Sequence, residues 1–164
     1  ILPGVGNFGS AMDALKVTGL SSSLIAFQKS GRPLLGICLG MQLLAESGAE
    51  GGNHIGLKIV PGRVTKLTEK FGFRAPQVGW NTLKLLVEHP VFEGLKPGRD
   101  VYFVHSYEFQ CEDLAHRLAV TEYGTSITAA VGLANVIGFQ FHPEKSQNSG
   151  LRLIENFCLW DGRC

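Results

Sequence analysis

The sequence predicts an α/β fold, in which a mainly parallel sheet flanked by helices continues into an antiparallel extension. Two observations lead to this prediction. In the first third of the chain, short apolar runs alternate with segments of helical spacing, which is typical of a parallel sheet covered by helices. From Leu57 onward, apolar and β-branched runs are separated by glycine and proline, which indicates a series of strands. No linker divides the 164 residues, so we expect one domain over residues 1–164.

The individual elements follow from local patterns. Ile1 and Leu2 match the end of a buried strand, and apolar spacing predicts one or two helices within residues 10–29. Gly19 and the serines after it mark a possible break, and Ser10 and the serines at 21–23 are the expected N-caps. The other predicted elements are helices at 39–46 and 150–160, a loop at 48–56, and strands at 34–37, 57–60, 63–67, 101–104, 117–122, 127–131 and 136–141.

Composition excludes several classes of function. The formal net charge of +1 gives no electrostatic basis for binding nucleic acid or an anionic membrane, so we expect neither as a partner. No apolar run is as long as a transmembrane helix. The four cysteines, at 38, 111, 158 and 164, have neither the spacing of metal ligands nor that of a dense disulfide framework. We therefore expect a reduced, cytoplasmic protein without a metal site.

The most informative segment is G-I-C-L-G at residues 36–40, which has the form of a nucleophile elbow built around Cys38. A predicted strand precedes it and a predicted helix follows it. A turn this sharp requires glycine on both sides, because a Cβ has no room there. The turn would expose the sulfur at the sheet edge, near a helix N-terminus, and we expect the helix dipole to lower the pKa of the Cys38 thiol.

A nucleophilic thiol requires a base and a group that orients the base, and residues 138–144, G-F-Q-F-H-P-E, supply both. His142 follows a predicted strand at its carboxyl end, which is where ligands bind in open α/β sheets. Pro143 favours an extended His142. In an extended segment, the side chains of His142 and Glu144 lie on the same side, so the carboxylate can hold the imidazole.

The transition state of acyl transfer also requires hydrogen-bond donors for an oxyanion. Gly4 and Val5 belong to a P-G-V-G turn after the first strand, and their backbone N–H groups can face a substrate. The N–H of Leu39, directly after Cys38, is the second expected donor. Each of these motifs alone also fits a buried structural cysteine or an ordinary loop. The residues by themselves leave both a Cys-His-Glu acyl-transfer site and a structural role open.

Together the motifs resemble the class I (triad) glutamine amidotransferases, whose signatures match G-I-C-L-G-M-Q at 36–42 and H-P-E at 142–144. Within that family the sequence is most similar to the HisH group, the glutaminase subunits of imidazole glycerol phosphate synthase. The resemblance covers essentially the whole chain and implies a flavodoxin-like class I amidotransferase fold. Four stretches carry it: L-P-G-V-G at 2–6, P-Q-V-G-W-N at 76–81, Y-F-V-H-S-Y at 102–107 and F-Q-F-H-P-E-K-S at 139–146.

The resemblance implies a role for each matching residue. Cys38 would attack the carboxamide of glutamine to form a γ-glutamyl thioester, His142 would protonate the departing ammonia and then activate water, and Glu144 would orient His142. Gly4 and Val5 would form a mobile oxyanion strand. The expected substrate contacts are Gln42, Glu50 and the backbones of Ser106 and Tyr107, and the expected partner-docking residues are Trp80, Asn81 and Tyr102.

The implied partner is the cyclase subunit HisF, which would use the ammonia in histidine biosynthesis within a heterodimer. Neither half-reaction requires a cofactor. Two alternatives remain open: a glutaminase subunit of another ammonia-using synthase, for an amino sugar or a nucleotide, and a truncated scaffold subunit without catalysis. The second arises because the family normally begins with a further strand and helix before the Ile1-Leu2 strand. We therefore expect this domain to be truncated at its N-terminus.

Overall fold

The computed structural model describes residues 1–69 and 72–163, so Cys164 lies outside the described residues. Helices and strands alternate at the start of the chain, and strands dominate from about residue 47 onward. The helices are α1 (Phe8–Val17), α2 (Leu20–Lys29), α3 (Leu39–Gln42) and α4 (Gln147–Leu159). The strands are β1 (Leu2–Gly4), β2 (Leu34–Cys38), β3 (Ser47–Gly48), β4 (His54–Ile55), β5 (Gly62–Lys66), β6 (Gln77–Thr82), β7 (Lys84–Leu85), β8 (Asp100–His105), β9 (Tyr107–Cys111), β10 (Arg117–Tyr123), β11 (Thr125–Leu133) and β12 (Val136–Phe139).

Within the described residues the strands form three sheets. The largest has the order β1-β2-β12-β11-β10-β7, in which β2 pairs in parallel with both β1 and β12, and the remaining pairs are antiparallel. A smaller sheet has the order β4-β3-β5-β9, and β6 pairs with β8 in an antiparallel ribbon. The predicted α/β class with an antiparallel extension is confirmed, but within the main sheet parallel pairing is confined to β1, β2 and β12. The smaller sheet contains one further parallel pair, β3 with β5.

Two hydrophobic clusters cover the main sheet because successive residues of a strand face opposite sides. Leu35 belongs to a cluster that includes Leu153 and Phe157 of helix α4. Leu34, the preceding residue, belongs to a cluster that includes Phe8 and Met12 of helix α1. Strand β2 is therefore buried on both faces, which fixes the position of the residue at its carboxyl end, Cys38.

The turn after β2 packs more tightly than side chains allow. A Cβ on Gly40 would lie 1.8 Å from the carbonyl oxygen of Leu2, and one on Gly36 would lie 2.7 Å from the carbonyl oxygen of Gly40. Both neighbours are backbone atoms, which cannot move aside as a flexible side chain can. The predicted requirement for glycine on both sides of Cys38 therefore has a direct steric origin: β1 crosses the start of α3.

The N-caps of the first two helices differ from the predicted ones. Asn7, rather than Ser10, caps α1, because its side-chain oxygen accepts a hydrogen bond from the N–H of Ser10 at 3.1 Å. Ser10 itself lies in the first turn of α1. The predicted break at Gly19 is present, and α2 begins directly after this glycine, whose φ is 72°. Helix α2 therefore starts earlier than the serines at 21–23 suggested.

Helix α3 ends at Gln42, four residues earlier than predicted, and the predicted strand at 57–60 is absent. The two differences have one cause. The N–H groups of residues 57–60 donate to the carbonyl oxygens of residues 43–45 at 2.9 to 3.0 Å. The apolar side chains at 57–60 are thus buried beside the helix, while their backbone caps it instead of joining a sheet. The predicted loop at 48–56 likewise contains the short strand β4 and the end of β3.

In the part of the chain that the structure describes, no helix combines the length and the apolar character that crossing a membrane would require.

Candidate active site

Cys38 lies at the carboxyl end of β2 in an uncommon backbone conformation, with φ 53° and ψ −111°. Strand β1 is in register beside it, with Gly4 opposite Cys38. The side chain is 7% exposed, so the sulfur is close to the surface of the cleft but largely removed from water. This is the geometry of a nucleophile elbow, in which a strained turn holds one side chain away from both the strand and the helix.

His142 follows β12, the strand that pairs in parallel with β2, so Cys38 and His142 lie near the carboxyl ends of neighbouring strands. The N–H of His142 donates to the carbonyl oxygen of Tyr102 at 2.9 Å, which attaches the segment to β8. Nδ1 of His142 lies 2.7 Å from Oε1 of Glu144. Since an ionised carboxylate can only accept, Nδ1 carries the hydrogen and Nε2 is left with the lone pair that a base requires.

The contact between His142 and Glu144 arises from a different conformation than predicted. Residues Pro143–Lys145 form a 3-10 turn, not an extended segment. The turn folds Glu144 back toward the imidazole, and its carboxylate stays half exposed while His142 is buried. Within the described part of the chain, Nε2 of His142 is buried without a hydrogen-bond partner. That nitrogen is free to exchange a proton with a reacting group.

The surroundings of the Cys38 sulfur favour the neutral thiol. Burial raises the pKa of Cys38 to about 11, the Leu39 N–H works in the opposite direction, and the negative charge of Glu144 raises the pKa further. The predicted lowering of this pKa is therefore wrong for the isolated chain. Helix α3 is only four residues long, so its dipole is small compared with the cost of burying a thiolate.

A cleft of about 370 Å³ opens beside Cys38. Its walls contain most of the predicted substrate contacts. Glu50, one of these residues, also accepts a hydrogen bond from the Phe8 N–H at the start of α1, at 2.8 Å. The lining residues include Val5, Gly6, Cys38, Leu39, Gln42, Glu50, Ser106 and Tyr107. Gly4 is not among them, and it lies at the end of β1, paired with Cys38 of β2. Separate elements thus bring six of the seven predicted substrate and oxyanion residues to one cleft.

Comparison with known proteins assigns the chain to a family. A model of the family "Glutamine amidotransferase class-I" matches residues 1–160. The chain is 47% identical to imidazole glycerol phosphate synthase subunit HisH of Sulfurimonas denitrificans, over 96% of this chain and 77% of that protein. It is 48% identical to the HisH subunit of Aquifex aeolicus, over 96% of this chain and 75% of that protein. The chain belongs to the HisH family of class I glutamine amidotransferases.

Solved structures with lower sequence identity share the fold of this amidotransferase. A glutamine amidotransferase from Thermotoga maritima superimposes with a TM-score of 0.64 at 20% identity, covering 95% of this chain and 60% of that one. Another glutamine amidotransferase gives a TM-score of 0.68 at 21% identity, with 95% of this chain and 77% of that one covered. The predicted fold and family are confirmed.

The predicted docking residues of the amidotransferase lie in the β6–β8 ribbon. Trp80 and Tyr102 face each other across the two strands, with ring centroids 5.8 Å apart. The Lys145 ammonium lies 5.7 Å from the centre of the Tyr102 ring, on the side where the His142 turn ends. Asn81 Oδ1 accepts a hydrogen bond from Gln77 Nε2 at 2.8 Å within β6. The aromatic pair is therefore linked to the candidate base through one short turn.

Three polar residues support the site, and sequence reasoning assigned no role to two of them, Gln140 and Ser146. Ser146 Oγ donates to the carbonyl oxygen of His142 at 2.7 Å and accepts from the Tyr102 N–H at 3.0 Å, so it joins the His142 turn to β8. Gln140 Nε2 lies 3.9 Å from the Cys38 sulfur. His105 is buried and its Nδ1 lies 2.7 Å from the carbonyl oxygen of Tyr107. A role for Gln140 could have been predicted from the sequence, because a glutamine within an apolar strand must have a buried hydrogen-bond partner.

His105 carries little charge at neutral pH. Burial lowers its pKa to about 4, and although the hydrogen bond to Tyr107 favours the charged form, burial dominates.

Among residues 1–69 and 72–163, no group of three or more His, Cys, Asp or Glu side chains could hold a metal ion.

The raised pKa gives a direct prediction about the isolated amidotransferase. Because the thiolate is the reactive form and the pKa of Cys38 is about 11, alkylation of Cys38 by iodoacetamide should still accelerate between pH 9 and pH 10. A free cysteine, with a pKa of about 8.5, levels off in that range. Mass spectrometry of the Cys38 peptide measures the rate, and the exposed Cys158 serves as a fast-reacting comparison. A Cys38 profile that levels off below pH 9 would contradict the described burial.

Proposed function

We propose that this chain is a glutaminase subunit of imidazole glycerol phosphate synthase, with Cys38, His142 and Glu144 as its catalytic triad. The observation that carries the proposal is that the elbow cysteine and His142 both lie near the carboxyl ends of the neighbouring parallel strands β2 and β12. Nδ1 of His142 is held there by Glu144 Oε1 at 2.7 Å. The HisH relatives, which this chain matches over about three quarters of their length, support the synthase. They favour it over an amino-sugar or nucleotide synthase.

The reaction begins when the Cys38 sulfur attacks the side-chain carboxamide carbon of glutamine. The thiol proton passes to His142 Nε2, and the C–S bond forms as the carbonyl oxygen gains negative charge. His142 then returns the proton to the amide nitrogen, the C–N bond breaks, and ammonia leaves a γ-glutamyl thioester. In the second half, His142 Nε2 takes a proton from water, the hydroxide attacks the thioester, and glutamate is released as the thiol reforms.

Glu144 keeps His142 in the tautomer that this cycle requires. Its contact with Nδ1 orients the ring and stabilises the imidazolium that forms when Nε2 takes a proton. The negative charge of Glu144 also raises the pKa of Cys38, which disfavours a permanent thiolate. Proton transfer from the thiol to His142 would therefore accompany attack instead of preceding it.

The rest of the cleft would hold the amino-acid end of glutamine. Glu50 offers a carboxylate for the α-ammonium group, and the segment of Ser106 and Tyr107 offers backbone groups. The oxyanion would be stabilised by the N–H of Leu39 and by an N–H of the Gly4–Val5 segment. Val5 is 79% exposed and is followed by Gly6 with φ 110°, so few contacts oppose a rotation of this peptide. We propose that the rotation completes the site when the partner is bound.

The partner would be a cyclase of the HisF type, docked on the outer face of the β6–β8 ribbon. Val78, Trp80 and Val104 expose 57%, 45% and 37% of their surfaces there, which makes a continuous apolar patch. The patch lies over the active site, because the carbonyl oxygen of Val104 contacts the Cys38 sulfur at 3.9 Å. Ammonia released beside Cys38 would then pass into the partner without meeting bulk water, where protonation makes it unreactive.

Reconstitution with a HisF-type cyclase tests the proposal. The mixture should form imidazole glycerol phosphate from glutamine and the cyclase substrate, and glutamate release should be faster than with the chain alone. Equal glutaminase rates with and without the cyclase and its ligand would contradict the proposed activation. Glutamate release without any imidazole glycerol phosphate would contradict the proposed partner but would still support the proposed glutaminase reaction.

Replacing Trp80 with alanine should weaken docking without disturbing the fold. Trp80 contributes a large, half-exposed aromatic surface, and aromatic residues in the centre of an interface commonly contribute about 2 kcal/mol or more to binding. We expect the concentration of cyclase that gives half-maximal glutamine-dependent activity to rise by at least about tenfold.

Leu159→Ala is the matched control for this measurement. Leu159 is also an exposed apolar residue, but it lies at the end of α4, outside the ribbon. An unchanged half-maximal concentration for Trp80→Ala, or an equal rise for both variants, would show that the β6–β8 face does not carry the docking.

A further inference from the structure

Three buried side chains link the substrate cleft to the nucleophile. Gln42 Nε2 donates to the carbonyl oxygen of Tyr107 at 3.0 Å and to Oε1 of Gln140 at 3.0 Å. Gln140 Nε2 in turn lies 3.9 Å from the Cys38 sulfur. Gln140 is fully buried between the end of β12 and His142, and Gln42 is 5% exposed. The chain of contacts therefore runs from Tyr107 through both amides to Cys38.

The hydrogen bond to the Tyr107 carbonyl oxygen determines the donor and acceptor at every later contact in this series. A backbone carbonyl oxygen can only accept, so Gln42 must present its NH₂ group to Tyr107. The second hydrogen of the same NH₂ group then points to Gln140, which must present its Oε1. Gln140 is left with its own NH₂ group toward the sulfur. A flipped Gln140 would bring two NH₂ groups together and would leave a carbonyl oxygen against the thiolate.

We propose that Gln140 donates a hydrogen bond to the Cys38 thiolate, and that Gln42 fixes the Gln140 amide in the orientation that allows it. Gln140 is thus a thiolate-stabilising residue, and Gln42 acts on the nucleophile as a positioning residue. The inference rests on the proposed role of Cys38 as nucleophile. Both hydrogens of Gln42 Nε2 are engaged, so Gln42 meets glutamine with its carbonyl oxygen only, as an acceptor for the α-ammonium group.

The contact with Gln140 matters because another polar contact of the sulfur, with the Val104 carbonyl oxygen, favours the thiol over the thiolate. The Val104 carbonyl oxygen, 3.9 Å away, accepts a hydrogen bond from the thiol but repels the thiolate. Glu144 adds a negative charge nearby, whereas Lys145 adds a positive one. When the thiol loses its proton, the Val104 contact becomes unfavourable. The donors that remain are Gln140 Nε2 and the Leu39 N–H.

Alkylation of Cys38 by iodoacetamide across a range of pH tests the inference without glutamine or a partner. Hydrogen bonds to charged groups contribute about 1.5 to 3 kcal/mol, so Gln140→Leu should slow Cys38 alkylation at fixed pH by about tenfold or more. The pH at which the rate is half-maximal should rise accordingly. Gln140→Glu should slow it further, because one carboxylate oxygen still accepts from Gln42 while the other repels the thiolate.

Gln77→Leu is the matched control, since Gln77 is also fully buried but hydrogen-bonds Asn81 within β6. We expect it to leave the Cys38 profile unchanged. Alkylation of Cys111 in each variant reports on folding, because Cys111 is partly buried in β9 and its pKa is also raised to about 11 by burial. Unchanged Cys38 profiles in a folded Gln140→Leu protein would overturn the inference.

Gln42→Met supplies a second route if Gln140→Leu does not fold. It removes the group that orients Gln140 and should slow Cys38 alkylation by a smaller factor, about threefold, because the freed amide points its NH₂ toward sulfur only part of the time. A Gln42→Met profile identical to that of the unmodified chain would also overturn the inference. The two proposals can fail separately. If both glutamine variants slow Cys38 alkylation but the unmodified chain shows no glutaminase activity with the cyclase, the inference is supported and the proposed function is contradicted.

Discussion

Cys38→Ala is expected to abolish glutamine-dependent synthesis by the complex with a cyclase, while synthesis from ammonium salt survives. Among the described residues that line the cleft, Cys38 supplies the only sulfur, and no thioester forms without it. Removal of a covalent nucleophile from a triad typically reduces turnover by on the order of 10³-fold or more. The ammonium-dependent reaction bypasses this step, because the cyclase receives ammonia directly. Both rates are measured as imidazole glycerol phosphate formed per unit time.

Cys111→Ser is the matched control for Cys38→Ala. Cys111 has the same raised pKa, about 11, but it ends β9 and lines a different surface depression with Arg63 and Gln110. Its replacement should leave both reactions near their original rates. Loss of the ammonium-dependent reaction in Cys38→Ala would refute the division of labour between two subunits. Retained glutaminase activity would require a nucleophile other than Cys38.

Gly40→Ala is expected to lower the free energy of unfolding by about 3 kcal/mol or more. The added Cβ would lie 1.8 Å from the carbonyl oxygen of Leu2, and the contact can be relieved only by separating β1 from the start of α3. That separation would also disturb the pairing of Gly4 with Cys38. Urea denaturation followed by circular dichroism gives the free energy, and the alkylation rate of Cys38 reports the local change.

Gly138→Ala is the comparison that separates backbone from side-chain crowding. A Cβ there would lie 2.7 Å from Cγ of Met41 and 3.0 Å from Cγ2 of Val131, so it would crowd side chains, which can yield further than the backbone of β1. We expect a loss of about 1 kcal/mol, which is clearly smaller than that of Gly40→Ala. If the two variants were equally stable, β1 would not lie across the elbow as the structure places it.

The candidate triad could be predicted from sequence because its requirements are local. The elbow needs a glycine two residues before and two residues after Cys38, and the His-Pro-Glu segment places a carboxylate near its histidine within three residues. The parallel order of β2 and β12 then brings the two motifs to one edge. Even so, only His142 itself is extended as predicted, and the residues after it form a 3-10 turn that makes the contact with Glu144. The catalytic and binding roles themselves stay predictions.

The pKa of Cys38 could not be predicted from the elbow motif. The motif indicates a helix N-terminus, which lowers a thiol pKa, but it contains no information about burial. Burial results from residues distant in sequence, including Val104 and Gln140, that close around the sulfur. Because burial outweighs a four-residue helix, the direction of the shift reverses.

The segment at 57–60 shows a second limit of sequence patterns. Its apolar residues are buried as a strand would be, but their N–H groups find carbonyl oxygens at residues 43–45. Hydrophobicity determines which side chains leave water, whereas the choice of backbone partner depends on the end of α3. The sequence analysis did not predict strand β6, because apolar side chains of this strand remain exposed. Its apolar residues, Val78 and Trp80, face outward, whereas polar Gln77 is fully buried, so the alternation is reversed relative to the core.

The backbone angles of Cys38 have a consequence for engineering this protein. A side chain held at φ 53° and ψ −111° costs of order 1–3 kcal/mol, and glycine adopts such angles without that cost. Chemistry and folding therefore favour different residues at this one position. A selection for melting temperature alone would enrich glycine at position 38 and would recover robust proteins that have lost their thiol. Libraries built on this scaffold should be sorted for thiol reactivity before they are sorted for heat resistance.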